Sequence, residues 1–399
     1  MHNKKVFILS PRYVFPPIEG TQKDIMGHIL LFKKLGYQVY LFCYSKNSRR
    51  INLIEDSINY GIEQIIILDK GNEESIKNIY TRWYQVSPLI NQKSIETIQV
   101  LIDSEKPEVL FFEYSRFAYL LTRLVVGESK VIFRPHNFEL MHAIEKEALH
   151  LNYDVIKSIR RIKNAFPQWV SIYRNEKLMF KNAFAVLSIS PGDVRSYKRW
   201  YWPKGNALYF PSLFPKTIVF HQVSNKNVLN VFYMGSNFTN NVNRSGANIL
   251  IKKIIPAVNI SFPNKFHFYI IGKDSLKYYS NIEVKNLTVL DFVDDLDTFL
   301  ADMDISCISV KAGRGCKMKM LESLLRGIPT IGFKKTFAGI PYQRNCFLTA
   351  NSVKQYLAGF RKLLSYEFRK RLSENSKRYI SSISNEDKLI IDFKRLLGQ

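Results

Sequence analysis

Two lysines and a glutamate follow a glycine-rich loop in the stretch GRGCKMKMLESLLRGIPTIGF (313–333), whose next segment is otherwise an apolar helix. We predict that helix over about 316–326. Lys317 and Lys319 then lie in its first turn, and Glu322 lies one turn deeper. Cations at a helix N-terminus oppose the helix dipole, so they cost stability unless an anion is bound there. The stretch therefore predicts a phosphate site, where Glu322 could accept hydrogen bonds from vicinal hydroxyls such as a ribose.

A purely structural interpretation of this helix is also open. Glu322 and Arg326 are spaced i, i+4, which suits an ion pair on a solvated helix face, and the two lysines would then be incidental. Composition alone does not decide between the two interpretations.

The elements that position these residues follow a strand–helix rhythm. Short apolar runs alternate with helical patterns along the 399 residues, which are enough for two domains. The alternation predicts an α/β protein with two doubly wound parallel sheets and a boundary near 210–228, where the rhythm breaks. Ligands of such sheets bind beyond the carboxyl ends of the strands, which is where Gly313 and Gly315 are placed.

Charge and cysteines limit the class of partner and the compartment. The formal net charge of +24 indicates an anionic partner: nucleic acid, an anionic membrane surface or a phosphorylated substrate. The four cysteines lack zinc-ligand spacing, which favours free thiols in a reducing cytoplasm. The first apolar run is too short for a signal peptide, and no apolar span is long enough to cross a bilayer, so a soluble or surface-bound protein is expected.

Two basic stretches could lie on a membrane surface. They are IKSIRRIKNAFPQWVSIYR (156–174) and the aromatic run RSYKRWYWPKG (195–205). The alternative is that both are solvated helix faces with an aromatic anchor in the core. The basic residues are spread along the chain without a recognised nucleic-acid motif, so no specific nucleic acid is expected as a partner.

The pattern G-x-G-x-K-x-K-x-x-E followed by G-x-P resembles the donor site of retaining glycosyltransferases of the group 1 family, which have the GT-B fold. Here the pattern consists of Gly313, Gly315, Lys317, Lys319, Glu322, Gly327 and Pro329. FYMGSNFTNN (232–241), with Gly235, is similar to the first strand and loop of that domain, and FAGI (337–340), with Gly339, to its late glycine turn. The resemblance implies two Rossmann-like domains facing a cleft.

The first half of the chain resembles the family in outline. PPIEGTQKD (16–24) is similar to its glycine loop, and RPHNFE (134–139) to its His-Asn-x-Glu. The resemblance implies that Gly20 approaches the donor and that His136 lies by the transferred sugar. From the residues alone, a plain turn glycine and a capped or core histidine remain open.

Three departures from the family pattern affect the donor contacts. Thr21 follows Gly20 where a second glycine is common, and Arg314 replaces a frequent glutamate. The loop after the second domain's first strand lacks the usual Arg and Lys. Asn240, Asn241 or Arg244 would have to serve instead.

The resemblance implies a glycosyltransferase that moves a sugar from a nucleotide-diphosphate sugar with retention. The basic, anchor-free chain suits a saccharide or lipid-linked saccharide acceptor in surface polysaccharide or glycan biosynthesis. Since no metal-binding motif is recognised in the sequence, we expect neither a metal nor another cofactor. The catalytic residues would be His136, Lys319 and Glu322. The donor-binding residues would be Gly20, Gly235, Asn240, Arg244, Gly313, Gly315, Lys317 and Gly339. Two Asp-x-Asp sequences, at 295–297 and 302–304, are interpreted as helix caps and a strand start rather than metal ligands.

Residues 1–210 would form the acceptor-side domain and 228–365 the nucleotide-sugar domain, with helices over 366–399 packing back towards the first domain. A basic protein without an anchor suits the cytoplasm, at the inner face of the cytoplasmic membrane. Two other classes stay open: a basic nucleic-acid-binding protein and a GT-B scaffold without catalysis.

Overall fold

The chain forms two compact units. A computed structural model describes residues 4–17, 20–44, 52–69, 90–148, 155–202, 205–213, 220–311 and 315–399. The first unit comprises Met1–Phe214 together with Glu386–Gln399, and the second comprises Pro215–Asn385.

The described residues of the first unit form a seven-stranded parallel sheet with helices. Its strands are β1 (Lys5–Ser10), β2 (Gln38–Cys43), β3 (Gln64–Ile67), β4 (Val109–Glu113), β5 (Lys130–Arg134), β6 (Ala185–Ser188) and β7 (Leu208–Tyr209), in the spatial order β3-β2-β1-β4-β5-β6-β7. Its helices are α1 (Gly20–Lys34), α2 (Leu53–Tyr60), α3 (Gln92–Glu105), α4 (Glu139–Ala148), α5 (Val155–Asn182) and α6 (Pro191–Trp200), with a 3₁₀ helix over Ser115–Thr122.

The second unit repeats the plan with six parallel strands. They are β8 (Leu229–Asn237), β9 (Phe266–Lys273), β10 (Leu287–Leu290), β11 (Ile305–Ile308), β12 (Thr330–Gly332) and β13 (Leu348–Thr349), in the order β10-β9-β8-β11-β12-β13. The helices are α7 (Asn241–Ile249), α8 (Ile255–Ser261), α9 (Ser275–Tyr279), α10 (Leu296–Ala301), α11 (Met318–Arg326), α12 (Val353–Leu363) and α13 (Tyr366–Ile383). A π-helical turn over Leu250–Ile254 joins α7 to α8, and a 3₁₀ helix covers Lys334–Gly339.

The central strands of the first sheet are buried on both faces, as is typical of parallel sheets. In β4 every side chain is buried, and β1 is buried from its second residue onwards. Such strands need helices on either side, and the intervening helical segments supply them. The carboxyl ends of the strands therefore meet at one edge of each sheet, where Glu113 and Arg134 end neighbouring strands.

The last helix of the chain, α14 (Glu386–Leu397), belongs to the first unit. Its Leu389, Phe393 and Leu397 are buried in that core. The Phe393 ring packs edge-on against Phe32, with ring centroids 5.3 Å apart, and also contacts Phe210. Among the described residues, no helix is both long and apolar enough to cross a membrane.

Candidate functional site

Helix α11 begins directly after the glycine-rich loop, two residues later than predicted. Lys317 is its N-cap residue, and its side chain makes no capping hydrogen bond. Gly315 has a φ of 72°, a left-handed conformation that glycine adopts at little cost. Gly313 lies outside the described residues. The first N–H groups of α11 and the two lysines are thus together at the carboxyl edge of the second sheet, beyond β11.

Gly339 lies against this loop from the other side. A Cβ atom at Gly339 would lie 2.5 Å from Cys316 Cα and 2.9 Å from the Gly315 carbonyl oxygen. Both neighbours are backbone atoms, so a side chain here would displace the loop. The 3₁₀ helix that ends at Gly339 therefore brings together two of the predicted donor-binding glycines.

Lys319 is held by neutral groups. Its Nζ donates to Asn243 Oδ1 at 3.0 Å and lies 4.6 Å from the centre of the Tyr233 ring. Burial, and after it the charge of Lys317, lowers the pKa of Lys319 to about 7. An ammonium in this setting lacks the solvation that it has in water, and a bound anion would supply a counter-charge.

Hydrogen bonds from Asn240 and Arg244 fix the conformation of the loop after β8. Gly235 lies at the irregular end of β8, where the pairing with β9 shifts register. Asn240 caps α7 by accepting from the Val242 N–H at 2.9 Å. Arg244 donates to the carbonyls of Phe238 and Thr239 at 2.6 and 2.8 Å. Arg244, on α7, thus holds the backbone of this loop at two positions. The donor-binding roles of Asn240 and Arg244 stay predictions.

Glu322 is paired with Arg326, as the structural interpretation expected, but the face that carries them is not solvated. Each residue is 8% exposed, so the expectation of a solvated helix face was wrong. Arg326 also donates to Asp297 Oδ1 at 2.5 Å. Glu322 is therefore fixed in orientation by a buried ion pair one turn into α11.

One aspartate of each Asp-x-Asp sequence makes hydrogen bonds that stabilise the local backbone structure. Asp295 caps α10 by accepting from the Thr298 N–H at 3.0 Å, as predicted. Asp304 is buried and accepts from the Asn230 N–H at 2.8 Å and from Ser224 Oγ at 2.9 Å, just before β11. These contacts account for Asp295 and Asp304 without a metal ion, and metal independence stays a prediction.

In the first unit, His136 follows β5 and is 8% exposed. Its Nε2 lies 2.9 Å from Glu113 Oε2, and its ring stacks on Tyr114, with centroids 4.2 Å apart and planes 7° apart. The other Glu113 oxygen lies 2.7 Å from His28 Nδ1. His136 is therefore not an isolated core histidine. The Tyr114 hydroxyl lies 3.4 Å from Thr21 Oγ1, next to Gly20 at the first turn of α1.

Asp24 and Arg134 complete this buried cluster. The Arg134 guanidinium donates to both Asp24 oxygens at 3.3 Å, and both side chains are fully buried. Burial alone would raise the pKa of Asp24, but Arg134 and then His28 and His136 hold it well below its usual range. Ligand atoms of Asp24, His28 and Glu113 lie within 4.8 Å of one another, as in a metal site. Here Arg134 pairs with Asp24, and the two histidine rings lie within hydrogen-bond distance of Glu113.

Several residues of the site escaped the sequence analysis: Asn243 and Tyr233 beside Lys319, and Asp24, His28, Glu113 and Arg134 around His136. One signal was available. Glu113 and Arg134 are charged residues at the carboxyl ends of otherwise apolar strands, which is where parallel sheets place ligands.

Comparisons with known proteins bear on the family and the fold of the chain. Residues 229–366 match the family model described as "Glycosyl transferases group 1". The second unit carries a group 1 glycosyltransferase domain. The predicted family resemblance and the predicted enzyme class, a glycosyltransferase, are therefore confirmed. No curated protein matches the sequence.

Solved glycosyltransferase structures match the chain over its whole length at low identity. Sucrose-phosphate synthase from Thermosynechococcus elongatus is 12% identical, with a TM-score of 0.72 over 100% of this chain and 99% of that one. A TarM mutant from S. aureus, solved with fondaparinux, alpha-GlcNAc-glycerol and UDP, is 9% identical, with a TM-score of 0.68 over 99% and 100%. HepE from Anabaena, solved with UDP and glucose, is 12% identical, with a TM-score of 0.64 over 99% and 100%. The predicted GT-B fold of this glycosyltransferase is confirmed.

Proposed function

We propose that this glycosyltransferase binds the diphosphate of a nucleotide sugar at the N-terminus of α11. The observation that carries the proposal is the position of Lys319. It is a partly buried cation in the first turn of a helix, held by an amide and a ring rather than by a carboxylate, next to the Gly315 turn. A diphosphate would bind the two ammonium groups and the first N–H groups of the helix together.

The same groups would promote the reaction. Glycosyl transfer breaks the anomeric C–O bond, and negative charge grows on the departing nucleoside diphosphate. Lys317, Lys319 and the positive end of α11 are fixed before this charge develops, so they stabilise the transition state more than the ground state. Glu322, oriented by Arg326, would accept hydrogen bonds from the ribose, and His136 would contact the transferred sugar.

Retention of the anomeric configuration, which rests on the motif resemblance, and independence of metal and other cofactors are both part of the proposal. The capping and anchoring contacts of Asp295 and Asp304 support the second point. As the acceptor we propose a saccharide or a lipid-linked saccharide in surface polysaccharide or glycan biosynthesis. The saccharide and glycerol glycoside in the TarM structure support this class for the fold.

The test is a panel of nucleotide sugars, assayed for hydrolysis and transfer with and without EDTA. We expect turnover of at least one donor that EDTA does not change. Lys319→Ala should abolish most turnover, whereas Lys354→Ala, at an exposed position on α12, should retain it. Nucleotide binding without turnover would support the scaffold alternative. Salt-sensitive binding of DNA or RNA, without nucleotide-sugar binding, would support the nucleic-acid alternative.

A stripe on α5 supports an anionic membrane surface as a further partner. Ile156, Ile159, Ile162 and Phe166 recur every three or four residues, so they share one helix face, and they are 80%, 60%, 40% and 58% exposed. Basic residues flank the stripe, and residues 155–175 contain no Asp or Glu. An apolar stripe between cations fits the interface of an anionic bilayer. Such docking would place the enzyme at the inner face of the cytoplasmic membrane.

The aromatic side chains of the second basic stretch (195–205) lie partly in the core and partly at the surface. Tyr197 and Tyr201 are buried, as the aromatic-anchor interpretation expected, while Trp200 and Trp202 are 46% and 82% exposed.

Vesicle flotation tests the membrane proposal. We expect binding to vesicles with anionic phosphatidylglycerol and little binding to phosphatidylcholine alone. The Ile156→Ser/Ile159→Ser variant should lose it. Ile54→Ser/Ile58→Ser, an equally exposed pair on α2, should keep it. A wild-type chain that stays out of the floated fraction would refute the proposal.

A further inference from the structure

Tyr233 presents the face of its ring to the ammonium group of Lys319. The tyrosine lies in β8 and is 1% exposed. Lys319 Nζ lies over the ring, 4.6 Å from its centroid. The face of an aromatic ring carries partial negative charge, so it attracts a cation within about 6 Å although the ring itself is neutral. Tyr233 therefore attracts Lys319 without cancelling its charge.

The side-chain amide of Asn243 contacts the same ammonium group. Its Oδ1 accepts from Lys319 Nζ at 3.0 Å, and its Nδ2 donates to the Asn237 carbonyl oxygen at 2.8 Å. Since only the nitrogen of an amide can donate, the Asn237 carbonyl fixes the orientation in which the oxygen faces Lys319. The amide is neutral as well, so neither contact offsets the charge of a protonated Lys319.

Helix α7 fixes the Tyr233 ring in place. The tyrosine hydroxyl donates to the Asn243 backbone carbonyl at 2.9 Å. A Cβ atom at Gly246, three residues further along α7, would lie 2.3 Å from Tyr233 Oη and 2.7 Å from Val310 Cγ2. The hydroxyl can approach α7 this closely because position 246 has no side chain. The ring is therefore held between β8 and α7, with its face towards Lys319.

We propose that Tyr233 is a positioning residue whose ring face holds the Lys319 ammonium where the donor diphosphate binds. Its role in donor binding rests on the proposed function, whereas the contact between ring and ammonium stands on the geometry of β8, α7 and Lys319. Burial disfavours an ammonium, and the ring offsets part of that cost. A carboxylate in the place of the ring would pair with Lys319 and compete with the diphosphate. A neutral ring and a diphosphate can contact the ammonium together.

Two substitutions separate the ring of Tyr233 from its hydroxyl. Tyr233→Phe keeps the ring and loses the hydrogen bond to Asn243. Its affinity for UDP, GDP or ADP, measured by calorimetric titration at pH 8, should stay within about threefold of the wild type. Tyr233→Leu removes the ring, and affinity should fall by about tenfold.

Tyr356→Leu is the matched control. Tyr356 is also 1% exposed and lies in the second unit, and its ring packs against Phe333. In urea unfolding, Tyr356→Leu should lose about as much stability as Tyr233→Leu, because both remove a buried ring. Its affinity for nucleoside diphosphates should stay at the wild-type level. Equal losses of affinity in the two leucine variants would overturn the proposal.

Fluorinated phenylalanines at position 233 test the charge of the ring face itself. Each added fluorine withdraws electron density from the face and changes the shape of the ring little. Starting from Tyr233→Phe, mono-, di- and trifluorinated rings should therefore weaken diphosphate binding stepwise, by about three- to tenfold in total. A residue that only fills space would give the same affinity throughout the series. A constant affinity, or a rising one, would overturn the proposal.

Competitive acetylation of the lysines, read by mass spectrometry from pH 6 to pH 10, follows Lys319 without any nucleotide. We expect the pKa of Lys319 to fall along the fluorinated series, because the charged form loses its attraction to the ring. If this pKa falls but the wild type binds no nucleoside diphosphate, the proposed function is refuted and the contact with the ring is supported. A pKa that stays constant would refute the role of Tyr233 even if nucleotides bind.

Discussion

Lys319 Nζ donates to Asn243 Oδ1 across 3.0 Å, so a neutral amide holds the cation that we assign to the diphosphate. Asn243→Asp would place a carboxylate there and satisfy the lysine internally. We expect nucleoside-diphosphate affinity to fall by about tenfold or more. Asn243→Ala should weaken binding less, although it removes more of the side chain. Calorimetric titration measures both, and a tighter Asn243→Asp complex would contradict the assignment.

Nucleotide-sugar binding should depend on pH through Lys319. Burial first, and then Lys317, lowers the pKa of Lys319 to about 7, so the free protein loses this proton as the pH rises above neutrality. A bound diphosphate favours the charged form, so binding takes up a proton, and affinity should fall as the pH increases from 7 to 9. Titration in buffers of different ionisation enthalpy should give an uptake of nearly one proton at pH 8. Lys319→Arg stays charged and should abolish the uptake.

Gly339 should be intolerant of any side chain. Because a Cβ would meet Cys316 Cα at 2.5 Å, Gly339→Ala must move the glycine-rich loop. We expect a loss of about 1–3 kcal/mol in unfolding free energy and weaker nucleotide binding. Gly359→Ala, in α12, meets the end of a side chain, Ile331 Cδ1 at 2.4 Å, rather than backbone, and it gains helix propensity, so it should cost less stability and leave nucleotide binding unchanged. Chemical denaturation and titration compare the two; similar behaviour would rule out a special role for Gly339.

Breaking the buried Asp24–Arg134 ion pair should lower the unfolding free energy. Replacing both partners with apolar residues should restore most of it. Arg134→Met leaves the buried Asp24 without its main counter-charge, and we expect a loss of about 3–5 kcal/mol in unfolding free energy at pH 7. In the wild type, the lowered pKa of Asp24 means that this contribution disappears as the pH falls through the acidic range. The Asp24→Leu/Arg134→Met variant should recover most of the loss in urea unfolding.

Glu176 should make stability fall with increasing pH. Burial raises its pKa to about 8, while the carboxylate accepts from Tyr201 and from the Glu139 N–H. From about pH 4.3, the ordinary value, to pH 8, the folded chain keeps a proton that the unfolded chain releases. The unfolding free energy therefore decreases across this range. Glu176→Gln should flatten the dependence and match or exceed the wild type at pH 8 in urea denaturation; an unchanged slope would contradict this.

The fold could be predicted because its longer elements carry their own signals. Strands buried on both faces are apolar throughout, and α11 was predicted over 316–326 and observed over Met318–Arg326. The two-residue strands β7 and β13 have no period that a sequence pattern could reveal. Their existence depends on neighbouring strands that are already in place.

The site could be predicted only where its residues are close in sequence. Gly315, Lys317, Lys319 and Glu322 lie within eight positions, and the structure places them on one loop and helix. The Glu113 cluster joins residues that are 85 and 23 positions apart. Such distances leave no spacing pattern, and each residue type taken alone is common at strand ends and on helices.

Helix α14 has a consequence for how the polypeptide is made. The Phe32 and Phe210 side chains that it covers are synthesised long before Phe393 leaves the ribosome. Until then, an apolar surface on the first unit stays uncovered, while the whole second unit, Pro215–Asn385, can already fold. The second unit can therefore be complete while the half that contains His136 still lacks its last helix.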